Sequence, residues 1–131
     1  MSRALLVSVA AIACLAATTS DGLAACNIDG NQMAAYQSNN TVVDFYPIHQ
    51  VGEALDGWGS FRDVQGTFQG SLKRNGSLLM IVTWSDRTTG VYTAHVSDAG
   101  QLSDGRTYEA GNPKNAASWG LGNWKYRLRC K

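Results

Sequence analysis

The chain has 131 residues, with eleven Lys and Arg against ten Asp and Glu, for a formal charge of +1. That size and balance exclude two packed domains, and they lack the concentrated positive surface that nucleic acid draws. Fourteen glycines against two prolines, with 44% hydrophobic residues, read as punctuation between many short strands rather than as disorder.

The first segment is MSRALLVSVAAIACLAATTSDGLAAC. Arg3 supplies a positive start, Ala4 to Ala17 form an almost unbroken apolar run, and small residues lead to Ala25. This pattern predicts a signal peptide over 1–25, too short to serve as a spanning helix, and a single exported domain over 26–131. The expected location is secreted or periplasmic. Cys14 lies inside the signal, so Cys26 and Cys130 are left to pair in an oxidising compartment. Closing a loop of about a hundred residues would give on the order of 4 kcal/mol in the chain-entropy model. "LAAC" at Leu23 to Cys26 also fits a lipoprotein box, in which Cys26 is acylated and anchors the protein to a membrane. The polar stretch TTSDG before the box and the orphaned Cys130 argue against that alternative.

Residues 26–40 have weak periodicity and read as strand or loop. "TVVDFYPIHQ" from Thr41 to Gln50 predicts a strand, with Pro47 at an edge or bend. The glycine-punctuated stretch from Val51 to Gly66 predicts short strands and turns. Asn75-Gly76 predicts a hairpin with a two-residue turn, which pairs Leu72 with Leu79 and Phe68 with Thr83. On that register Phe68, Leu72, Leu79 and Ile81 face the core, while Met80, Val82 and Trp84 face outward. A four-residue loop over Asp86 to Thr89 predicts Thr83 opposite Tyr92 and Leu79 opposite Val96, the same core face. "SDAGQ" turns the chain into "LSDGRTY". A last strand is expected from Trp124 to Lys131, with Lys125, Arg127, Arg129 and Lys131 in a solvated outer row.

Together these elements predict an all-β fold: a small antiparallel up-and-down β-barrel of six to eight strands, its termini joined by a disulfide, with a β-sandwich as the alternative. The string "VTWSDRTTGVYTAHVSDAGQLSDGRTYEAGNPKNAASW" with a C-terminal cysteine resembles a W…GVY…G.TY…NP…W…C pattern of uncharacterised small secreted bacterial proteins. The likeness covers roughly the C-terminal half and implies export and a β-barrel, without a function. At fold level the outline is similar to avidin-type and lipocalin-type barrels, and no motif carries over their ligand residues.

His95, Ser97 and Asp98 invite a hydrolase reading. His95 and Ser97 would share a strand face about 7 Å apart, beyond direct hydrogen-bond reach, and no nucleophile elbow precedes any serine. One register would place His95 opposite Asp104. His49 and His95 are the only histidines, and neither sits in a ligand-spaced pair, so no metal or other cofactor is expected. The aromatics carry the functional expectation. Trp58 in "GWGS" and Trp119 in "SWGLG" suggest loop tryptophans at a barrel mouth, which either stack on a sugar or flat ligand or plug the barrel end. Trp84 on its outward stripe and Tyr92 complete the ligand-binding set. The expected function is a non-catalytic domain that binds a small molecule or glycan. The alternative is a module that binds a secreted protein, such as an inhibitor of a secreted hydrolase. No nucleic acid and no membrane span are expected.

Overall fold

The computed structural model describes residues 26–122 and 127–131. The expected signal segment lies outside the described residues, as do Trp124, Lys125 and Tyr126. Eight strands follow in chain order: β1 (Met33–Gln37), β2 (Val42–Val51), β3 (Ala54–Phe61), β4 (Val64–Leu72), β5 (Ser77–Trp84), β6 (Thr89–Val96), β7 (Leu102–Glu109) and β8 (Asn112–Gly120). Each pairs antiparallel with the next, and β8 pairs with β1 to close the barrel. The closing seam is short, joining Tyr36 with Gly120 and Gln37 with Trp119.

Strand alternation fills the bore. Phe45, Phe68, Leu72, Leu78, Met80 and Val82 are buried, whereas Asp44, Thr67, Gln69 and Thr83 face water. An eight-stranded barrel has an interior that side chains can fill, and aromatic rings do so here. Phe68, Phe45, Tyr92 and Trp119 stack edge to face in series, with centroids 5.5, 5.2 and 5.7 Å apart. Such pairs stabilise by about 0.5–1.5 kcal/mol each beyond their burial. In β2 a bulge between Phe45 and Ile48 absorbs Tyr46 and Pro47, so both Phe45 and Ile48 point inward. Proline has no N–H for the ladder, which suits the bulge.

One turn design recurs. The hairpin loops Ser38–Asn40, Arg74–Gly76, Ser85–Arg87 and Asp98–Gly100 each have three residues, the last at positive φ: Asn40 64°, Gly76 92°, Arg87 74° and Gly100 84°. In three of them an Asx side chain caps the turn. Asn39, Asn75 and Asp86 accept from the backbone N–H groups of Thr41, Ser77 and Thr88. Asn75-Gly76 therefore does mark a hairpin, but Asn75 is the middle residue of a three-residue loop, not half of a two-residue turn.

That difference corrects the expected register. Leu72 pairs with Leu78 and Phe68 with Val82, one residue from expectation. Across the next turn Thr83 pairs with Thr89 and Met80 with Tyr92, three residues from expectation. Both slips are odd, so β5 alone is inverted: Leu78, Met80 and Val82 face the core and Ile81 faces out. Its neighbours keep their expected faces. The two turns agreed because two odd errors on either side of one strand cancel.

The two ends of the barrel differ. The β2–β3, β4–β5 and β6–β7 turns share one end with both terminal segments, which seal it. Cys26 and Cys130 form the expected disulfide, 104 residues apart in sequence. Ile28 and Leu128 plug the bore beside it. The buried Gln50 side chain accepts from the Ile28 N–H and donates to the Gly52 carbonyl. Asn31 donates to the Arg129 carbonyl and accepts from its N–H, while Lys131 N–H donates to Asn27. The Gln50 backbone N–H donates to Asp29 and, with the nearby Lys131 charge, holds that carboxyl below its ordinary range. Residues 127–131 are thus a cap and not the expected last strand; β8 takes that place. Arg127, Arg129 and Lys131 do face water, as expected of the basic row.

Candidate functional site: the open mouth of the barrel

The other end, where the β1–β2, β3–β4, β5–β6 and β7–β8 turns gather, is open. A cavity of about 210 Å³ enters the bore there. Its inner wall holds Val43, Tyr92 and Thr107, and its aromatic side holds Phe61 and Trp84. Polar groups ring it: Asn39, Thr41, Thr88, Asn115 and the carboxylates of Asp86 and Glu109. The volume is below the roughly 300–1,000 Å³ of drug-sized pockets, so it suits a compact molecule.

Trp84 owes its place to β5's inverted face, which turns it inward at the end of the strand. Three glycines lie beside the ring. A Cβ added at Gly59 would stand 3.4 Å from Trp84 Cη2, at Gly66 3.0 Å from Cε3, and at Gly90 3.2 Å from Nε1. The indole therefore lies against bare backbone of β3, β4 and β6, half-buried and packed on the core.

Tyr92 forms the floor. Its hydroxyl donates to Gln37 Oε1 at 2.7 Å, and Gln37 Nε2 in turn donates to Asn39 Oδ1 at 3.3 Å. This chain runs from the interior to the rim along one wall. Burial pushes the Tyr92 hydroxyl up to about 12, with the Thr107 side chain acting in the opposite direction. The buried neutral phenol thus contributes stability that is whole below about pH 10, the ordinary tyrosine value. That contribution is lost as the pH rises through about 12. In an absorbance titration of tyrosinate, the difference between the protein and Tyr92→Phe is expected to titrate near the top of the alkaline range. A component that titrates at the ordinary value would mean an open floor.

At the rim, Asp86 accepts from both the hydroxyl and the N–H of Thr88, and these bonds hold its carboxyl below the ordinary range. Asn115 donates to Glu109 at 3.2 Å. Both carboxylates are anchored but keep oxygens for a ligand. The mouth can therefore stack an apolar face on Trp84 and hydrogen-bond polar edges from several sides.

The structure brings together two of the four expected ligand residues, Trp84 and Tyr92. The outward Trp84 stripe is corrected: Met80 and Val82 are core and Trp84 enters the mouth. Trp119 is not in a loop but in β8, only 5% exposed, and its Nε1 donates to the carbonyls of Thr93 and Arg106. It belongs to the wall beneath the site. Trp58 is likewise in a strand, β3, on the outer surface and away from the mouth. Gln37, Thr107 and Asp86 were not expected at a site. The signal that points to them is strand counting, since alternate turns of an up-and-down barrel share an end.

His95, Ser97 and Asp98 lie at the sealed end. His95 pairs with Ser103, not Asp104, and its Nε2 is 3.1 Å from the Asn75 carbonyl, while Ser97 Oγ accepts from Gln101 N–H. His49 stands 3.5 Å from Asp56 on the exposed surface. Among the described residues, no three His, Cys, Asp or Glu side chains are grouped to hold a metal, and no helix is long and apolar enough to cross a membrane. No family model, curated protein or solved structure matches the chain.

Proposed function

We propose that the protein is an exported, non-catalytic binding domain that holds a compact small molecule or terminal sugar in the open mouth. The observation that carries this reading is the asymmetry of the barrel. At one end a disulfide, a plug and backbone bonds close the bore, with a groove of about 730 Å³ left between β1 and the terminal segments, while at the other a cavity enters the bore itself, beside an indole laid on glycines and a ring of polar groups. At Gly90 the room that a Cβ would take is held by the Trp84 indole, whose Nε1 would stand 3.2 Å from it. Export is supported by the apolar N-terminal segment and by the disulfide, which persists in oxidising compartments. The Cys26 sulfur bonded to Cys130 favours a soluble form over a lipid anchor, because one sulfur does not carry both.

Tryptophan fluorescence tests the reading. In a titration with a panel of monosaccharides and small heteroaromatic compounds, at least one member is expected to shift or quench the emission saturably. The response should vanish in Trp84→Ala and survive in Trp58→Ala. A panel without any saturable response, or a response indifferent to Trp84, would remove the mouth as the binding site.

A further inference from the structure

We infer a second site on the outer wall, a stacking platform for a neutral glycan chain, built on Trp58 and Tyr46. Trp58 is 56% exposed and Tyr46 58%, and both border one groove of about 390 Å³. Single exposed apolar residues need no explanation, but two of the largest side chains side by side on a strand surface do. Folding does not require them there. Trp58 occupies an outward position of β3 between Asp56 and Ser60, where the pattern is otherwise polar.

The register lays the groove out in two rows across β2, β3 and β4. In one row the β2 bulge sets Tyr46 and Pro47 opposite Trp58. In the next, Asp44 pairs with Ser60 and Ser60 with Gln65. Neighbouring strands are about 4.8 Å apart, and same-face residues along a strand about 7 Å apart. An aromatic row thus lies parallel to a row of carboxylate, hydroxyl and amide, with Gln32 also lining the groove.

The chemistry of the lining selects the occupant. It offers two flat apolar faces but no aliphatic side chain, so it suits neither a lipid nor an apolar helix. It has no Lys, Arg or His to hold phosphate or sulfate. Its polar groups both donate and accept, as the hydroxyls of a sugar do. A pyranose ring laid with its C–H face on Trp58 would turn its hydroxyl edge toward the Asp44–Ser60–Gln65 row. Because the platform runs across strands and is open at its sides, it fits a stretch within a longer chain. The mouth, by contrast, admits only a compact group. The two sites are independent, since Trp58 lies outside the wall and Trp84 inside it.

Affinity electrophoresis in gels containing hydroxyethylcellulose, laminarin or a mannan tests the assignment. At least one of these neutral polysaccharides is expected to retard the protein. Retardation should weaken about tenfold or more in Trp58→Ala and in Tyr46→Ala, as for truncated aromatic anchors. It should persist in Trp84→Ala and in salt of about 0.5 M, which screens charge. Denaturation curves of Trp58→Ala matching the parent would show that the fold is kept. Retardation by none of the three, or retardation that survives both aromatic variants, overturns the assignment. Trp58-dependent self-association in sedimentation also overturns it, since the face would then be a contact between copies.

Discussion

Replacing Cys26 and Cys130 together with Ser is expected to lower the unfolding free energy by about 4–5 kcal/mol, the chain-entropy value for so long a loop. For a domain of this size that corresponds to a fall in Tm of roughly 20–30 °C. The bond joins residues 104 apart, so in its absence the unfolded chain regains nearly all of its end-to-end freedom. The folded state would still hold the cap through Asn31 with Arg129, Lys131 with Asn27 and Leu128 with Gly100. Unfolding by urea should therefore remain a single transition with a shifted midpoint. A shift under about 1 kcal/mol, less than one net hydrogen bond, would mean that these contacts close the barrel without the disulfide. Two separate transitions would mean that the sealed end is a unit apart from the strands.

Trp119→Ala should cost about 3–5 kcal/mol, the usual toll of removing a buried large aromatic. The ring ends the edge-to-face series through Tyr92, Phe45 and Phe68, and its Nε1–H satisfies carbonyls on both β6 and β7. Trp119→Phe keeps much of the packing and loses those bonds, so about 1–3 kcal/mol is expected. Trp58→Ala serves as the contrast, within about 0.5 kcal/mol of the parent as for an exposed surface residue. Equal costs for Trp58 and Trp119 would contradict the placement of one on the outer wall and the other in the core. A parental stability for Trp58→Ala would also show that any loss of glycan retardation in that variant is a loss of binding and not of folding.

Much of the fold is legible in the residues themselves. Alternation in β2 and β4, Asx and glycine signals at the turns, and cysteines at either end of residues 26–131 are local features, and they already imply a barrel closed by a disulfide. The stretch that became β8 was not legible as a strand. Asn112 to Ala116 is exposed throughout, so it shows no alternation, and Pro113 weakens the pattern further. Its place in the barrel is set by pairing with β7 and β1.

The site was half legible. Trp84 and Tyr92 stood out as aromatics, but the inward turn of Trp84 follows from a loop of three residues where two fit the same Asn-Gly pair. A difference of one residue inverts a strand, and local preference does not distinguish the two loops. "SWGLG" and "GWGS" look alike in sequence, yet Trp119 is enclosed by β6 and β7 while Trp58 faces water. The sequence by itself determined most of the strands, the places where the chain turns and the partners of the disulfide, because those depend on neighbours along the chain. Which face of β5 is inside, which end of the barrel opens, and which tryptophan lines the open mouth were decided only by tertiary structure. Those properties depend on register and closure, which sum over every turn at once.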